Sequence, residues 1–177
     1  MYVLGHVGAA MLAYAPAAAL LTWLGHPELA ALGTVTAVGL STLPDIDHNL
    51  PMEHRAGTHT VFFAGAVGSL AAVAGALVAA AGLLPFEPGG TSQTGLTGLV
   101  ATVPATAGIA AVLSICSHIL ADCVTPMGVC PFAPLSRWQY SADIVPSKHQ
   151  RANVILLLAG VAVASGSQAL VVLLSGS

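Results

Sequence analysis

The chain has 177 residues, of which 56% are hydrophobic and only 6% charged, against about 25% charged in an average soluble domain. So few charges cannot cover a water-soluble surface, and four Lys plus Arg with a formal net charge of -3 exclude a basic nucleic-acid-binding domain and a charge-rich disordered chain. The composition is that of an integral membrane protein, expected to form one membrane-embedded all-α domain over residues 1–177.

A membrane-crossing helix needs about 20 apolar residues, and five segments qualify. The first runs from about Val3 to Leu24 and carries His6 one turn from its start. His6 there is either a buried hydrogen-bonding group or a ligand. No basic segment leads this span, so despite its Ala17–Ala19 run it is expected to be retained rather than cleaved. The second span, about Glu28 to Leu43, is expected to stop at Pro44. Leu43-Pro-Asp-Ile-Asp-His48 follows directly, placing Asp45, Asp47 and His48 within four residues. Carboxylates this close repel one another unless a cation neutralises them; the same residues also suit a solvated turn.

His54-Arg-Ala-Gly-Thr-His59 leads into the third span, about Thr58 to Leu84, with Thr58 expected to cap the helix and His59 to lie in its first turn. Arg55 is the one cation among these acids and imidazoles. Its planar fork suits a phosphate or carboxylate, or else it snorkels to lipid headgroups. The fourth span, about Thr94 to Asp122, ends in Ser-His-Ile-Leu-Ala-Asp, where His118 and Asp122 are one helical turn apart on one face. That pair can share a divalent cation or simply hydrogen-bond to each other. A Pro-rich loop with Trp138 and Tyr140, suited to the membrane interface, precedes the fifth span, about Arg151 to Leu174. Cys116, Cys123 and Cys130 form no close Cys-x-x-Cys pair and read as small packing residues.

Five crossings place the N-terminus, the 44–57 segment and the 123–149 loop on one face. Arg55, Arg137, Lys148 and Arg151 all lie there, which makes it cytoplasmic by the positive-inside tendency. His6, Asp45, Asp47, His48, His54, His59, His118 and Asp122 share that face, delivered from four spans. Their convergence points to a metal site at the cytoplasmic helix ends.

Gly5-His6, Leu43-Pro-Asp-Ile-Asp-His48, His54-Arg-Ala-Gly-Thr-His-Thr60, Ser117-His-Ile-Leu-Ala-Asp122 and Thr125-Pro-Met-Gly128 resemble the YdjM-type membrane proteins, described as LexA-binding, inner-membrane-associated, metal-dependent hydrolases. The family's usual His-Arg-Gly and Thr-His-Ser are interrupted here by Ala56 and ended by Thr60, and neither change removes a candidate ligand. The His-x-x-x-Asp pair is also similar to the ligand pattern of zinc-dependent phospholipases C. The resemblance implies an inner-membrane, metal-dependent hydrolase with a one- or two-ion centre, and the mixed His and carboxylate ligands favour zinc, with manganese or iron as alternatives. Expected ligands are His6, Asp45, Asp47, His54, His59, His118 and Asp122; Arg55, Asp47 and His48 are expected to serve catalysis, supplemented by Lys148, His149 and Arg151. Expected partners are membrane lipids and an amphiphilic phosphoester or ester substrate, with no nucleic acid. Two other readings remain open: a structural metal in a binding or regulatory membrane protein, and a divalent-metal transporter.

Overall fold

In the computed structural model, residues 1–49, 55, 57–83 and 96–175 are described. They form α1 (Val3–Trp23), α2 (Pro27–Leu40), a 3-10 helix (Leu43–Asn49), α3 (Val61–Ala80), α4 (Leu96–Cys123) and α5 (Gln150–Ser175). Five segments are long and apolar enough to cross a membrane, the second being α2 continued by the 3-10 helix as far as His48. Among the described residues the only β-type pairing is an isolated bridge between Val129 and Tyr140. The expected membrane helix bundle is the fold observed.

Helix ends are set by local chemistry. Gly25, at φ 83°, closes α1: its N–H bonds the Thr22 carbonyl and the His26 N–H bonds the Leu21 carbonyl. This left-handed ending needs a residue without a Cβ. Gly82, at φ 65°, closes α3 in the same way. Pro27 then opens α2, where its missing N–H costs nothing. The expectation that the second span ends at Pro44 is corrected: α2 ends at Leu40, and Pro44 is the second residue of the following 3-10 helix. Proline fits there because the first residues of a helix lack intrahelical N–H partners. The cap expected at Thr58 is instead Thr60, whose side chain accepts from the Phe63 N–H, so His59 precedes α3 rather than lying in its first turn.

Helices α1, α2 and α4 pack on one another; α3 packs on α4, and α5 on α1. Small residues permit close approach: a Cβ on Gly160 would collide with the Gly8 backbone, and one on Gly8 with the Leu156 carbonyl. Without a hydrophobic drive between helices in lipid, such contacts supply the packing. Helix α4 carries much of the core, with Ala110, Ala111, Ile115 and Ile119 buried, whereas α3 and α5 present exposed Leu70, Leu77, Leu158 and Leu173. In a bilayer that exposure is ordinary, because lipid is the solvent.

Candidate metal centre

The first turn of α1, the 3-10 helix, the segment before α3 and the last turn of α4 meet at one end of the bundle. There His6, Asp45, His118 and Asp122 each offer one donor atom, all within 4.8 Å of one another, so the group could hold a metal ion. His6, His118 and Asp122 are fully buried, while the Asp45 side chain is 25% exposed. Asp122 lies centrally. Its Oδ1 is 2.7 Å from the Met1 amino nitrogen and 3.7 Å from His6 Nε2; its Oδ2 is 3.0 Å from Arg55 Nη2, 3.4 Å from His59 Nε2 and 3.8 Å from His118 Nε2. Asp45 faces the same three imidazoles, with Oδ1 at 3.5 Å from His118 and 3.7 Å from His59, and Oδ2 at 3.8 Å from His6.

The imidazole–carboxylate separations, 3.4–3.8 Å, are longer than those of strong hydrogen bonds but match two donors sharing an ion. Ligands about 2.1 Å from a tetrahedral zinc lie about 3.4 Å apart. The imidazoles are also held as ligands are. The Ser41 carbonyl accepts from His118 Nδ1–H at 2.7 Å, leaving the Nε2 lone pair facing inward, 3.2 Å from His59 Nε2. Thr58 donates its hydroxyl to Asp47 at 3.0 Å and can accept from His59 Nδ1–H at 3.1 Å, which again turns Nε2 to the centre. Holding Nδ1 in this way fixes tautomer and ring orientation. His6 stacks on His118 with ring centroids 3.6 Å apart, and neither of its nitrogens has a hydrogen-bond partner among the described residues. Two orphaned nitrogens on a fully buried ring are costly unless a ligand satisfies one of them. The donor set therefore fits a divalent cation.

Burial lowers the His59 pKa, but hydrogen bonds to Asp122 and Asp45 and the nearby carboxylate charges outweigh it, so the net shift is upward. An ion at this centre competes with that proton.

Not every expected residue joins this group. Asp47, expected among the ligands, backs His59: its Oδ2 accepts from the Arg55 N–H at 2.7 Å and from Thr58. It is outside the group whose donor atoms converge. His48 is exposed on the 3-10 helix, also outside that group. His54 lies outside the described residues. Arg55 does not snorkel. It is buried, and its guanidinium reaches Asp122, the Gly128 carbonyl at 2.9 Å and Thr125 at 3.4 Å. Lys148, His149 and Arg151 are exposed, and His149 Nδ1 accepts from the Ala152 N–H at the start of α5.

The supporting residues carry weaker sequence signals. Thr125 and Gly128 stand in the Thr-Pro-Met-Gly stretch, visible as a motif but without an assigned role. Asn153 is buried in the first turn of α5. Its Oδ1 accepts from the Tyr2 N–H at 3.0 Å, and its Nδ2 donates to the Ser147 and His149 carbonyls. A polar residue inside an apolar span was its available signal.

No curated protein and no solved structure matches the chain. The sequence profile of the YdjM inner membrane protein family matches residues 1–176. Nearly the whole chain is covered, and the protein belongs to the YdjM inner membrane protein family.

Proposed function

We propose that this protein is a membrane-bound, divalent-metal-dependent hydrolase acting on a phosphoester or ester of an amphiphilic lipid substrate, with its centre on the cytoplasmic side. The observation that carries the reading is the reserved inward face of the imidazoles: His118 and His59 have Nδ1 occupied, and neither His6 nitrogen has a hydrogen-bond partner among the described residues. His6, Asp45, His118 and Asp122 hold the ion, zinc being the expected metal with manganese or iron as alternatives. His59 adjoins them on the side of Asp122 and Asp45, suited to a second ion. A divalent ion held there supplies Lewis acidity and lowers the pKa of its water from about 15.7 to about 7.

The chain's own residues do the rest. Asp47 and Thr58 fix the His59 tautomer, and Arg55 keeps Asp122 in place. Arg55 Nε, which has no hydrogen-bond partner among the described residues, is a donor for an anionic substrate oxygen. Asp45 is the one partly exposed member of the donor group, so substrate approaches along the 3-10 helix.

A second reading is favoured by the closed character of the group: four protein donors can saturate a tetrahedral ion, as in structural sites. The protein would then be a non-enzymatic binding or regulatory membrane protein with its helix ends tied by metal. Elemental analysis of detergent-purified protein, followed by assay against phospholipids, phosphodiesters and carboxylic esters, separates the two. Stoichiometric metal with chelator-sensitive turnover supports the hydrolase. Full occupancy by protein ligands alone, with no turnover across the panel, abandons it for the structural reading.

A further inference from the structure

A second feature lies apart from the metal centre. Helices α3 and α4 border a groove of about 360 Å³, lined by Val61, Cys116, Leu120 and Cys123 and roofed by Trp138 and Tyr140. On α4, Cys116, Leu120 and Cys123 recur at helical spacing and form one stripe, whereas Ile115, His118 and Asp122 form another; successive helical residues are about 100° apart. The groove therefore opens on a different side of α4 from the donor group.

Its surroundings identify what fills it. Both bordering helices are candidate membrane spans, so hydrocarbon is the medium at its mouth, and a lining this apolar offers nothing to a polar ligand. Trp138 is in ring contact with both Phe132 and Tyr140, and all three are exposed, as aromatics at headgroup depth are. Arg137, next to Trp138 in the chain, is exposed. Among the described residues of this face the exposed cations Arg137, Lys148 and Arg151 outnumber the exposed acid Asp143. Basic residues at headgroup depth attract anionic lipid.

We propose that this groove holds one acyl chain of an anionic phospholipid, with the lipid phosphate met by Arg137. The site is independent of the hydrolase reading and stands or falls without it.

The test uses the full chain in neutral detergent, with native mass spectrometry reading retained phosphatidylglycerol and phosphatidylcholine of identical chains. One basic residue at an anionic surface corresponds to roughly a five-fold preference, so the wild type is expected to favour phosphatidylglycerol by about that factor. Leu120→Trp fills the groove from an exposed position and should remove retention of both lipids. Arg137→Ser should keep the chain bound and lose the preference. Equal retention of the two lipids by the wild type overturns the proposal. So does undiminished retention by Leu120→Trp, or a dimer mass that this variant dissolves, which would assign the groove to a second copy. A check that does not depend on the variant's folding uses the half-buried Cys116 as a reporter in a Cys123→Ser, Cys130→Ser background. Phosphatidylglycerol should slow its reaction with N-ethylmaleimide, and an unchanged rate also overturns the proposal.

Discussion

Asp122 sits fully buried between a guanidinium, an amino group and three imidazoles, and its charge is what lets those groups coexist. Asp122→Ala removes the acceptor while leaving Arg55 buried with its principal counter-charge gone. Breaking a buried pair from one side costs about 3–5 kcal/mol, so the variant should lose its metal and unfold at markedly lower temperature in detergent. Unchanged metal content would remove Asp122 from the ligand set. His59 gives a pH signature. Because folding raises its pKa, the protonated ring stabilises the ion-free fold fully below the unfolded value of 6.5, and that contribution is lost as pH climbs through the higher folded value. Chelator-treated protein should therefore melt at lower temperature as pH rises through this window. Metal-loaded protein should gain affinity over the same range, because ligands must be deprotonated; paired thermal scans with and without chelator measure both. The pairing of His118 with Asp122 was legible from spacing of four on a helix. The place of Asp47 was not, since Asp45 and Asp47 are equivalent as sequence and only the turn of the 3-10 helix directs one inward and the other behind His59. Arg55 was legible as the lone cation among acids, but its burial against Gly128 and Thr125 depends on a loop some 70 residues away.

At the scale of elements, apolar runs bounded by Gly and Pro located all five helices, because hydrocarbon thickness fixes their length. The junctions were less readable. Thr58 and Thr60 are equal candidates for a cap until the Asp47 carboxylate claims the Thr58 hydroxyl. Thr60→Ala should cost about 1 kcal/mol of stability while leaving metal content intact, because the residue supports the helix and not the ion; denaturant titration in mild detergent reads this. The α1–α5 contact is more exacting. Gly160→Val forces backbone apart at Gly8, on the helix that carries His6. It should lower both the melting temperature and metal affinity, although Gly160 touches no candidate ligand. Retained affinity at full strength would mean that α1 is held in place by its other neighbours.

For the whole molecule, an even number of crossings between His6 and each of Asp45, His59 and Asp122 is what brings them to one end, and that arithmetic was available from hydropathy alone. Sidedness is a separate matter. Arg55, Arg137, Lys148 and Arg151 share that end, so a fluorescent reporter fused at the N-terminus should report cytoplasm and alkaline phosphatase fused after α5 should be active outside; the reverse pattern would move the centre to the outer face. The spatial order of helices was beyond reach of the sequence, because uniformly apolar helices carry little directional pattern and small-residue contacts are set by partners far along the chain. Asn153 illustrates what that order entails. Its amide bridges the backbone just before α1 to the turn that opens α5, so the first and fifth of these spans are stitched together beside His6. A nascent chain that has made only the first four of these spans carries every donor residue yet leaves α1 without the neighbour that anchors its start, and its capture of metal should wait on α5.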